Sequence, residues 1–483
     1  MAATIQTAPV DDVNAPPGRA ACLAALQARF GERFTVNETI REQHANTLTW
    51  QGNQPPDAVV FPETTEEVVE IVRLCAAHHV PMIPYGTGTS LEGHVNAPFG
   101  GVCIDTGRMK AVIAVHAEDL DVVVEPGVTR KELNEYLRDA GLFFPIDPGA
   151  DASIGGMAAT RCSGTNAVRY GTMRENVLAL EVVLPDGRVI HTGSRAKKSA
   201  AGYDLTHLFV GSEGTLGVIT KITLRLHGIP EAISAGCCPF PSVHAACDAT
   251  IQTIQSGIPV ARIELLDVAS VRSVNAYSKI GLPETPMLLV EFHGTDASVQ
   301  EQAARFGEIA EGLGGGPFEW ATRAEDRTRL WQARHDAYWA GRAANPGMLT
   351  FATDVCVPIS HLADCVEETA RDLDSIGIAG GTVGHVGDGN FHTQPFFDVN
   401  DAAQRAAIEG FLARLAARAL AYGGTCTGEH GIGQGKMKFM AAEHGEDALG
   451  VMRAIKQAID PENLMNPGKI LPPRQDPALR VEA

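Results

Sequence analysis

The chain has 483 residues, of which 45% are hydrophobic and 20% are charged, and its formal net charge is −19. A chain of this length exceeds one ordinary core, so we expect two or more domains. The negative charge argues against a nucleic-acid partner, because binding phosphates needs a basic face. No apolar run approaches the ~20 residues that span a bilayer, so we expect no transmembrane segment, and peripheral membrane association stays open.

Residues 1–20 and the cysteines bear on compartment and electron transfer. Residues 1–20 lack a basic start followed by an apolar core, so they do not form a secretory signal and are expected to be a frayed tail. The ten cysteines include no C-x-x-C, which excludes the usual iron–sulfur and haem-attachment patterns. We therefore expect reduced thiols in a cytoplasmic protein, either free or peripheral to the inner membrane. Any electrons must leave through a bound organic cofactor.

Residues 59–226 alternate predicted helices and strands. Thr64 and Glu67 form a capping-box signal before an apolar stripe, which predicts a helix. Pro81 disfavours helix in the residue before it, so the helix should end upstream of it. A strand over residues 82–85 then runs into glycines.

A second helix and a hairpin follow. Thr129 and Glu132 repeat the capping signal, and Gly141 suits the end of that helix. Pro-Asp-Gly at residues 185–187 lies between two apolar runs and predicts a β-hairpin. Strands at residues 102–105, 120–125 and 216–226 are expected to share one mixed sheet, which makes the first domain α+β.

Three blocks rich in glycine and small residues indicate a large nucleotide cofactor. The first, P-Y-G-T-G-T-S-L-E-G at residues 84–93, offers unobstructed backbone N–H groups to a pyrophosphate. It is not the Rossmann fingerprint, because Leu91 stands where the third glycine is required, and alone it fits a plain turn. The others, P-G-A-D-A-S-I-G-G-M at residues 148–157 and G-S-E-G-T-L-G at residues 211–217, let a backbone lie against a flat ring system.

The segment G-H-V-G-D-G-N-F-H at residues 384–392 carries two histidines seven residues apart. Gly387 and Gly389 make a continuous helix between His385 and His392 improbable, so we expect strand, tight turn, strand. Such a hairpin brings both imidazoles to one end.

The segment G-E-H-G at residues 428–431 supplies a carboxylate and a further histidine. Two imidazoles and Glu429 can bind one divalent cation, and His430 is then left for proton transfer. His/His/Glu with an open position suits Zn²⁺ or another first-row ion acting as a Lewis acid. From spacing alone, a metal-dependent hydrolase without flavin remains an alternative.

G-I-G-Q-G-K at residues 431–436 is not a P-loop, because Met437 replaces the Ser/Thr that would ligate Mg²⁺.

Together with N-P-G-K at residues 466–469, these motifs resemble the FAD-dependent 2-hydroxy acid dehydrogenases of the vanillyl-alcohol oxidase type. The resemblance covers residues 50–472 in the family's order. Its nearest branch is the D-lactate dehydrogenases that pass electrons to cytochrome c or quinone, and the glycolate oxidase flavin subunit is also similar.

The resemblance implies an α+β fold with a two-part FAD-binding domain and a C-terminal α+β substrate domain, or cap, built on an antiparallel sheet. The expected segments are an N-terminal tail and helical segment (1–52), the FAD-binding domain (53–229), the substrate- and metal-binding cap (230–440) and a segment returning to the FAD domain (441–483).

The cofactor implied by the resemblance is FAD. Relatives that bind FAD covalently often carry a histidine near Thr89, and threonine cannot make that bond, so we expect non-covalent FAD. The implied FAD-binding residues are Pro84, Gly86, Thr87, Gly88, Thr89, Ser90, Pro148, Gly149, Ala150, Asp151, Ser153, Ile154, Gly155, Gly156, Ser163, Gly164, Asn166, Tyr170, Gly171, Glu213, Gly217, Ile219 and Asn466.

The family's metal ligands correspond to His385, His392 and Glu429, with zinc, manganese, cobalt or iron as the expected ion. Its active-site base corresponds to His430. Arg334 matches an arginine that binds the substrate carboxylate, a task suited to a bidentate guanidinium.

The substrate implied is a small D-2-hydroxy acid. The D-2-hydroxyglutarate branch carries a lysine for the distal carboxylate just before Asp354, whereas this chain has Ala352 and Thr353. A buried second carboxylate would lack a partner, which favours D-lactate. Glycolate differs by one methyl, worth only ~1–3 kcal/mol, so glycolate oxidation remains an alternative. The expected partners are an electron acceptor (cytochrome c, quinone or an electron-transfer flavoprotein) and a second copy of the chain in a homodimer.

Overall fold

The computed structural model describes residues 18–46, 49–321 and 323–473. Most of the N-terminal tail expected at residues 1–20 therefore lies outside the described residues, as does the end of the C-terminal segment.

The N-terminal half contains short elements arranged in three sheets of four, five and two strands. Its helices are α1 (Arg19–Phe30), α2 (Glu38–Gln43), α3 (Thr65–Ala77), α4 (Arg130–Leu137), α5 (Ile154–Thr160), α6 (Ala167–Tyr170), α7 (Met173–Asn176) and α8 (Leu205–Phe209). Its strands are β1 (Phe34–Thr35), β2 (Ala58–Val60), β3 (Met82–Tyr85), β4 (Val102–Asp105), β5 (Val112–His116), β6 (Asp121–Val124), β7 (Leu142–Phe143), β8 (Val177–Val183), β9 (Val189–His191), β10 (Val218–Arg225) and β11 (His227–Gly228).

The C-terminal half has longer elements. Its helices are α9 (Val243–Gln255), α10 (Val268–Ser278), α11 (Asp296–Gly312), α12 (Ala324–His335), α13 (Ala337–Ala344), α14 (Leu362–Ser375), α15 (Ala402–Ala421) and α16 (Met440–Ile459). Its strands are β12 (Ala232–Pro239), β13 (Val260–Leu266), β14 (Met287–Gly294), β15 (Glu319–Ala321), β16 (Leu349–Thr350), β17 (Val355–Cys356), β18 (Ala379–His385) and β19 (Asn390–Phe397).

The local signals of the first half are confirmed. Thr64 accepts a hydrogen bond from the backbone N–H of Glu67 at 3.2 Å and caps α3. Thr129 and Glu132 form the full capping box of α4. Strands β8 and β9 pair antiparallel around the Pro-Asp-Gly turn, as expected.

The single mixed sheet expected here is wrong. Strands β2, β4 and β3 run parallel, with β1 antiparallel at the edge. Strands β5, β6, β10, β8 and β9 form a separate antiparallel sheet. The apolar runs behind β4, β6 and β10 look alike, and nothing local to a run specifies its partner strand.

The cap is a single antiparallel sheet covered by helices on both faces, and its strands begin four residues after β11. The order is β15-β12-β14-β13-β18-β19-β16, with β17 paired to β19. Alternate residues of β14 point to opposite faces. Leu288, Val290 and Phe292 pack with α9, α11, α14 and α15, whereas Met287 and Leu289 pack with α10, α12 and α13.

The end of the chain returns to the first sheet. The backbone N–H of Met82 donates to the carbonyl of Leu464, and the N–H of Asn466 donates to the carbonyl of Met82, both at 2.8 Å. Asn466 is thereby fixed beside β3, the strand that leads into the first glycine loop. No helix in the described part of the chain is long and apolar enough to cross a bilayer.

Candidate active site

The β18–β19 hairpin brings His385 and His392 together, as the glycines between them predicted. His385 ends β18 and pairs with Asn390, and His392 lies two residues into β19. Their ring centroids are 5.3 Å apart and nearly perpendicular. Gly389 closes the turn at φ +79°, a conformation that disfavours L side chains.

We expect Gly389→Ala to destabilise the protein. The new methyl group would collide with the carbonyl oxygen of Val357, in addition to the ~1–2 kcal/mol that a left-handed conformation costs. Gly377→Ala is the matched control, because Gly377 has φ +68° and nothing within 4 Å of the added carbon. Thermal unfolding of both variants measures the difference. Equal midpoints would show that the turn relaxes around the methyl group.

Glu429 completes a cluster of three metal-type donors. Its Oε1 lies 3.2 Å from His385 Nε2 and 3.1 Å from His392 Nε2. The three donor atoms lie within 4.8 Å of one another. The other ring nitrogens are used elsewhere: His385 Nδ1 donates to Glu264 at 2.7 Å, and His392 Nδ1 donates to the carbonyl of Thr353 at 2.8 Å. Both rings therefore turn Nε2 toward Glu429, the orientation that supporting hydrogen bonds give to metal ligands.

The charges of this cluster suit a bound cation. Burial alone would lower the pKa of His385, but Glu264 and Glu429 outweigh it and raise that pKa well above its ordinary value. Burial alone would raise the pKa of Glu429, but His385 and His392 bring it far below its ordinary value. Two carboxylates around one imidazole thus favour positive charge at this point, and a divalent ion would suit such a site.

Arg334 lies beside the cluster and is 8% exposed. Its Nε and Nη2 donate to Glu264 Oε2 at 3.0 and 2.6 Å. Glu264, which also accepts from His385, therefore orients a metal-type ligand and the arginine at once. Arg334 lines the cavity described below, and its Nη1 is not engaged by Glu264.

His430 stacks on His392, with ring centroids 5.0 Å apart and planes 5° apart. Its Nδ1 is buried and has no hydrogen-bond partner among the described residues. Burial, with the nearby charges of His392 and Lys436, lowers the pKa of His430 to about 4. The imidazole is therefore neutral at physiological pH and has a free nitrogen, so it can accept a proton.

One continuous cavity of about 470 Å³ joins these groups to the glycine loops. Arg334, His385, His392, Glu429 and His430 all line it. The predicted cofactor residues that line it are Pro84, Gly86, Thr87, Gly88, Thr89, Ser90, Pro148, Gly149, Ala150, Gly155, Gly156, Gly164, Glu213, Gly217, Ile219 and Asn466.

The remaining predicted cofactor residues, Asp151, Ser153, Ile154, Ser163, Asn166, Tyr170 and Gly171, are not among the cavity-lining residues. Several have structural partners. Asp151 accepts from the N–H of Lys131 at 3.1 Å, and Asn166 donates to the carbonyl of Pro145 at 2.9 Å. The hydroxyl of Tyr170 lies 2.7 Å from His293 Nδ1. Small and polar residues near a binding loop serve its own folding as often as they serve the ligand, and spacing alone does not separate the two roles.

The glycine-loop end of the cavity fits a polar, extended cofactor. Ser90 Oγ, His94 Nδ1 and Asn466 Oδ1 are buried without a hydrogen-bond partner among the described residues. A buried unpaired polar atom costs roughly 1–3 kcal/mol, so these atoms suit a ligand with donors and acceptors. A Cβ at Gly86 would collide with Ser153 Oγ, so a larger residue there would require the Ser153 side chain to move.

Sequence reasoning missed Glu264 and His94. Glu264 is 1% exposed within the apolar strand β13, and an acid in such a run was the available signal. His94 is 5% exposed and lies just beyond the first glycine loop. No feature of the sequence near His94 predicted that it would line the cavity.

Two family models cover most of the chain. Residues 56–193 match the model described as FAD binding domain, and residues 229–470 match FAD linked oxidases, C-terminal domain. The chain belongs to the FAD-linked oxidases. FAD is therefore its cofactor, and the flavin-free hydrolase considered from the metal motif is excluded.

The relatives refine this assignment. The chain is 54% identical to a probable mitochondrial D-lactate dehydrogenase of Danio rerio, over 91% of this chain and 89% of the relative. It is 52% identical to the mitochondrial D-lactate dehydrogenase [cytochrome] of Arabidopsis thaliana, over 86% and 74%. It is 32% identical to the glycolate oxidase subunit GlcD of Bacillus subtilis, over 92% and 95%. The resemblance to FAD-dependent 2-hydroxy acid dehydrogenases, closest to D-lactate dehydrogenases, is confirmed.

The fold expectation is also confirmed. The structure superposes on 4-ethylphenol oxidase from Gulosibacter chungangensis with a TM-score of 0.75 at 20% identity, covering 94% of this chain and 97% of that one. The vanillyl-alcohol oxidase type of FAD-binding fold with an antiparallel cap sheet is thus present.

The cytoplasmic location expected from the sequence is wrong. The D-lactate dehydrogenases named above are mitochondrial proteins, which points away from the cytoplasm. The expectation rested on the lack of a secretory pattern and on reduced cysteines, and neither property distinguishes one non-secretory compartment from another.

Proposed function

We propose that this protein is a D-lactate dehydrogenase that oxidises D-lactate, or a similar small D-2-hydroxy acid, to the 2-oxo acid. One observation carries the proposal: a neutral imidazole, a cluster of metal-type ligands and an arginine line the same cavity as the glycine loops. The names of the D-lactate dehydrogenase relatives support the substrate.

The chemistry divides between the bound groups and the side chains. FAD supplies a hydride acceptor at flavin N5, and a divalent ion supplies Lewis acidity toward the substrate hydroxyl. Arg334 binds the substrate carboxylate through the guanidinium edge that Glu264 leaves free. His430, which lines the cavity, removes the hydroxyl proton at a ring nitrogen.

We propose that FAD binds without a covalent link, because the first loop offers Thr89 where covalent relatives often carry histidine. Denaturation followed by ultrafiltration should release all of the yellow chromophore. Colour retained on the denatured chain would contradict non-covalent binding and would direct attention to His94, a histidine at the glycine-loop end of the cavity.

A divalent ion, expected to be zinc, manganese, cobalt or iron, is held by His385, His392 and Glu429 in this proposal. Exhaustive dialysis against a chelator should abolish turnover and leave flavin absorbance intact. Adding back each metal separately to the dialysed enzyme identifies which ions restore activity. Full turnover in metal-free enzyme would contradict the metal's role.

Substrate choice gives a kinetic prediction. Ala352 lines the cavity, and the resemblance to the family places the lysine of the hydroxyglutarate branch at this part of the chain. We expect kcat/KM for D-lactate to exceed that for D-2-hydroxyglutarate by about tenfold or more, since an unpaired buried carboxylate costs at least ~1.4 kcal/mol. Ala352→Lys should narrow this ratio.

The matched control is Ala344→Lys, which adds the same charge at an exposed position of α13 outside the cavity lining. It should leave the ratio unchanged. An equal or reversed preference in the native enzyme would contradict the prediction and assign the distal carboxylate to Arg342, an exposed cation that also lines the cavity.

The electron acceptor is proposed to be a cytochrome, on the strength of the relatives named D-lactate dehydrogenase [cytochrome]. Anaerobically reduced enzyme should be reoxidised rapidly by cytochrome c. If only a quinone analogue or an electron-transfer flavoprotein reoxidises the enzyme, a quinone or that flavoprotein is the acceptor and the cytochrome is not. The homodimer stays a prediction.

A further inference from the structure

The loop that carries Glu429 and His430 contains no helix or strand over residues 428–433. Its geometry must therefore come from contacts outside the loop rather than from a regular hydrogen-bond ladder. The backbone N–H groups of four loop residues, Glu429, His430, Ile432 and Gly433, donate to just two buried carboxylates.

Asp354, from the cap, holds the first part of the loop. Its Oδ2 accepts from the N–H of Glu429 at 3.0 Å, from the N–H of His430 at 2.9 Å and from the hydroxyl of Thr427 at 2.7 Å. Its Oδ1 accepts from Asn390 at 2.7 Å. Asp354 is 1% exposed, so these donors take the place of water around a buried charge.

Asn390 belongs to the hairpin that carries the two metal-type histidines. A single carboxylate therefore ties that hairpin to the backbone of both Glu429 and His430. A shift of Asp354 would change the distance between the ligand on the loop and the ligands on the hairpin.

Glu213 holds the second half of the loop. It belongs to the FAD-binding part, the N-terminal region up to β11 that carries the three glycine blocks. Its Oε1 accepts from the N–H of Ile432 at 2.7 Å, and its Oε2 accepts from the N–H of Gly433 at 2.8 Å. Its carboxylate also lies 3.3 Å from Nε2 of His94, which lines the cofactor end of the cavity. Both carboxylate oxygens are thus committed to the loop, although the resemblance to the family implied a cofactor-binding role for this residue.

Gly431 lies between the two anchoring points at φ +81°. A Cβ there would come within 2.7 Å of both Glu213 Oε1 and His94 Nε2. The loop therefore packs directly against the FAD-binding part at this residue, and only a glycine leaves room for that approach.

We propose that Asp354 and Glu213 are positioning residues with separate tasks, an inference that rests on the proposed function. Asp354 sets Glu429 and His430 relative to the metal-binding histidines. Glu213 sets the same loop relative to the FAD-binding part, and so fixes the position of His430 relative to the glycine blocks that would hold FAD. Neither residue touches the substrate.

The variants Asp354→Asn and Glu213→Gln separate these tasks. In Glu213→Gln the amide NH₂ replaces one of two oxygens that each accept a backbone N–H, so one loop contact is lost. In Asp354→Asn the NH₂ must face either the loop N–H groups or the side-chain amide of Asn390, so the tie between loop and hairpin is lost while side-chain size is kept. Asp267→Asn is the matched control, because Asp267 also accepts two backbone N–H groups in the cap, from Ser270 and Thr382. Purified holoenzymes are compared for zinc affinity, FAD content, KM, the rate of flavin reduction by D-lactate, and amide hydrogen exchange across residues 428–433.

We expect Asp354→Asn to bind zinc about 10–100-fold more weakly, the usual effect of losing a group that supports metal ligands. Glu213→Gln should keep zinc affinity and FAD content within about twofold of the native values, and KM nearly unchanged. Its flavin reduction should be slowed about 10–100-fold, because small misplacements of a catalytic group have effects of that size. Both variants should exchange loop amides faster than the Asp267→Asn control.

The milder variant Thr427→Val removes only one donor to Asp354 and covers the case in which Asp354→Asn fails to fold. It should weaken zinc binding severalfold with FAD retained. Native zinc affinity in the Asp354 and Thr427 variants, or native flavin reduction in Glu213→Gln, would overturn the proposal. Loss of FAD from Glu213→Gln would show that Glu213 binds the cofactor rather than positioning the loop. Zinc affinity and hydrogen exchange need no substrate, so they test the positioning roles even if the native enzyme proves inactive toward D-lactate.

Discussion

His430→Ala should retain FAD and metal yet lose flavin reduction by D-lactate by about 10²–10⁴-fold, the range that general-base catalysis usually contributes. The substitution removes the stacked imidazole without removing any atom of the His385, His392 and Glu429 cluster. Anaerobic stopped-flow reduction of the flavin, with absorbance and metal content measured on the same preparation, checks the result.

The control for that variant is His361→Ala, because His361 is exposed and stacks only on Tyr422 outside the cavity lining. The flavin of His361→Ala should be reduced by D-lactate at the native rate. A reduction rate in His430→Ala equal to that of His361→Ala, across the whole pH range, would remove His430 from the proton transfer.

His385→Ala and His392→Ala should each lose metal and turnover together while flavin occupancy survives. Each variant removes one of the three proposed protein ligands, and the loss of a ligand typically weakens a divalent site by far more than the 10–100-fold effect of a supporting group. His385→Ala should be the more disruptive of the two, since it also leaves the buried Glu264 with Arg334 as its only cationic partner among the described residues.

Metal analysis after gel filtration, with the flavin spectrum recorded on the same samples, measures both quantities. Full metal occupancy in either variant would exclude that histidine from the ligand set. Loss of FAD in step with the metal would instead indicate collapse of the cap against the FAD-binding part.

Some elements and site groups were predicted correctly from the sequence. They depend on interactions between residues that are only a few positions apart in the chain. The capped helices start where Thr64 and Thr129 placed them, and the glycines between His385 and His392 forced the hairpin that pairs their strands. These features follow from backbone rules that act within a few residues.

The groups that sequence reasoning missed act over long separations. Glu264 meets Arg334 and His385 from 70 and 121 residues away, and Asp354 holds Glu429 from 75 residues away. An acid inside an apolar strand is a signal of a buried partner, but it does not identify that partner. The sheet to which β4 belongs was mispredicted for the same reason: β4 was expected to share a sheet with β6 and β10, which do pair, but it lies in a separate sheet.

Glu213 illustrates a further limit. Its motif marked it as part of the cofactor site, and the residue does line the cavity. Its carboxylate is nevertheless committed to Ile432 and Gly433, more than two hundred residues downstream. A motif locates a residue near a ligand, whereas the direction of its side chain depends on the fold.

The most direct test of the account is anaerobic titration of the purified holoenzyme with D-lactate, followed through the visible absorption of the flavin. D-Lactate should bleach the flavin stoichiometrically, L-lactate should not, and glycolate and D-2-hydroxyglutarate should act more slowly. A flavin that stays oxidised in D-lactate, or that is reduced faster by glycolate, would contradict the assignment of this FAD-linked oxidase to D-lactate.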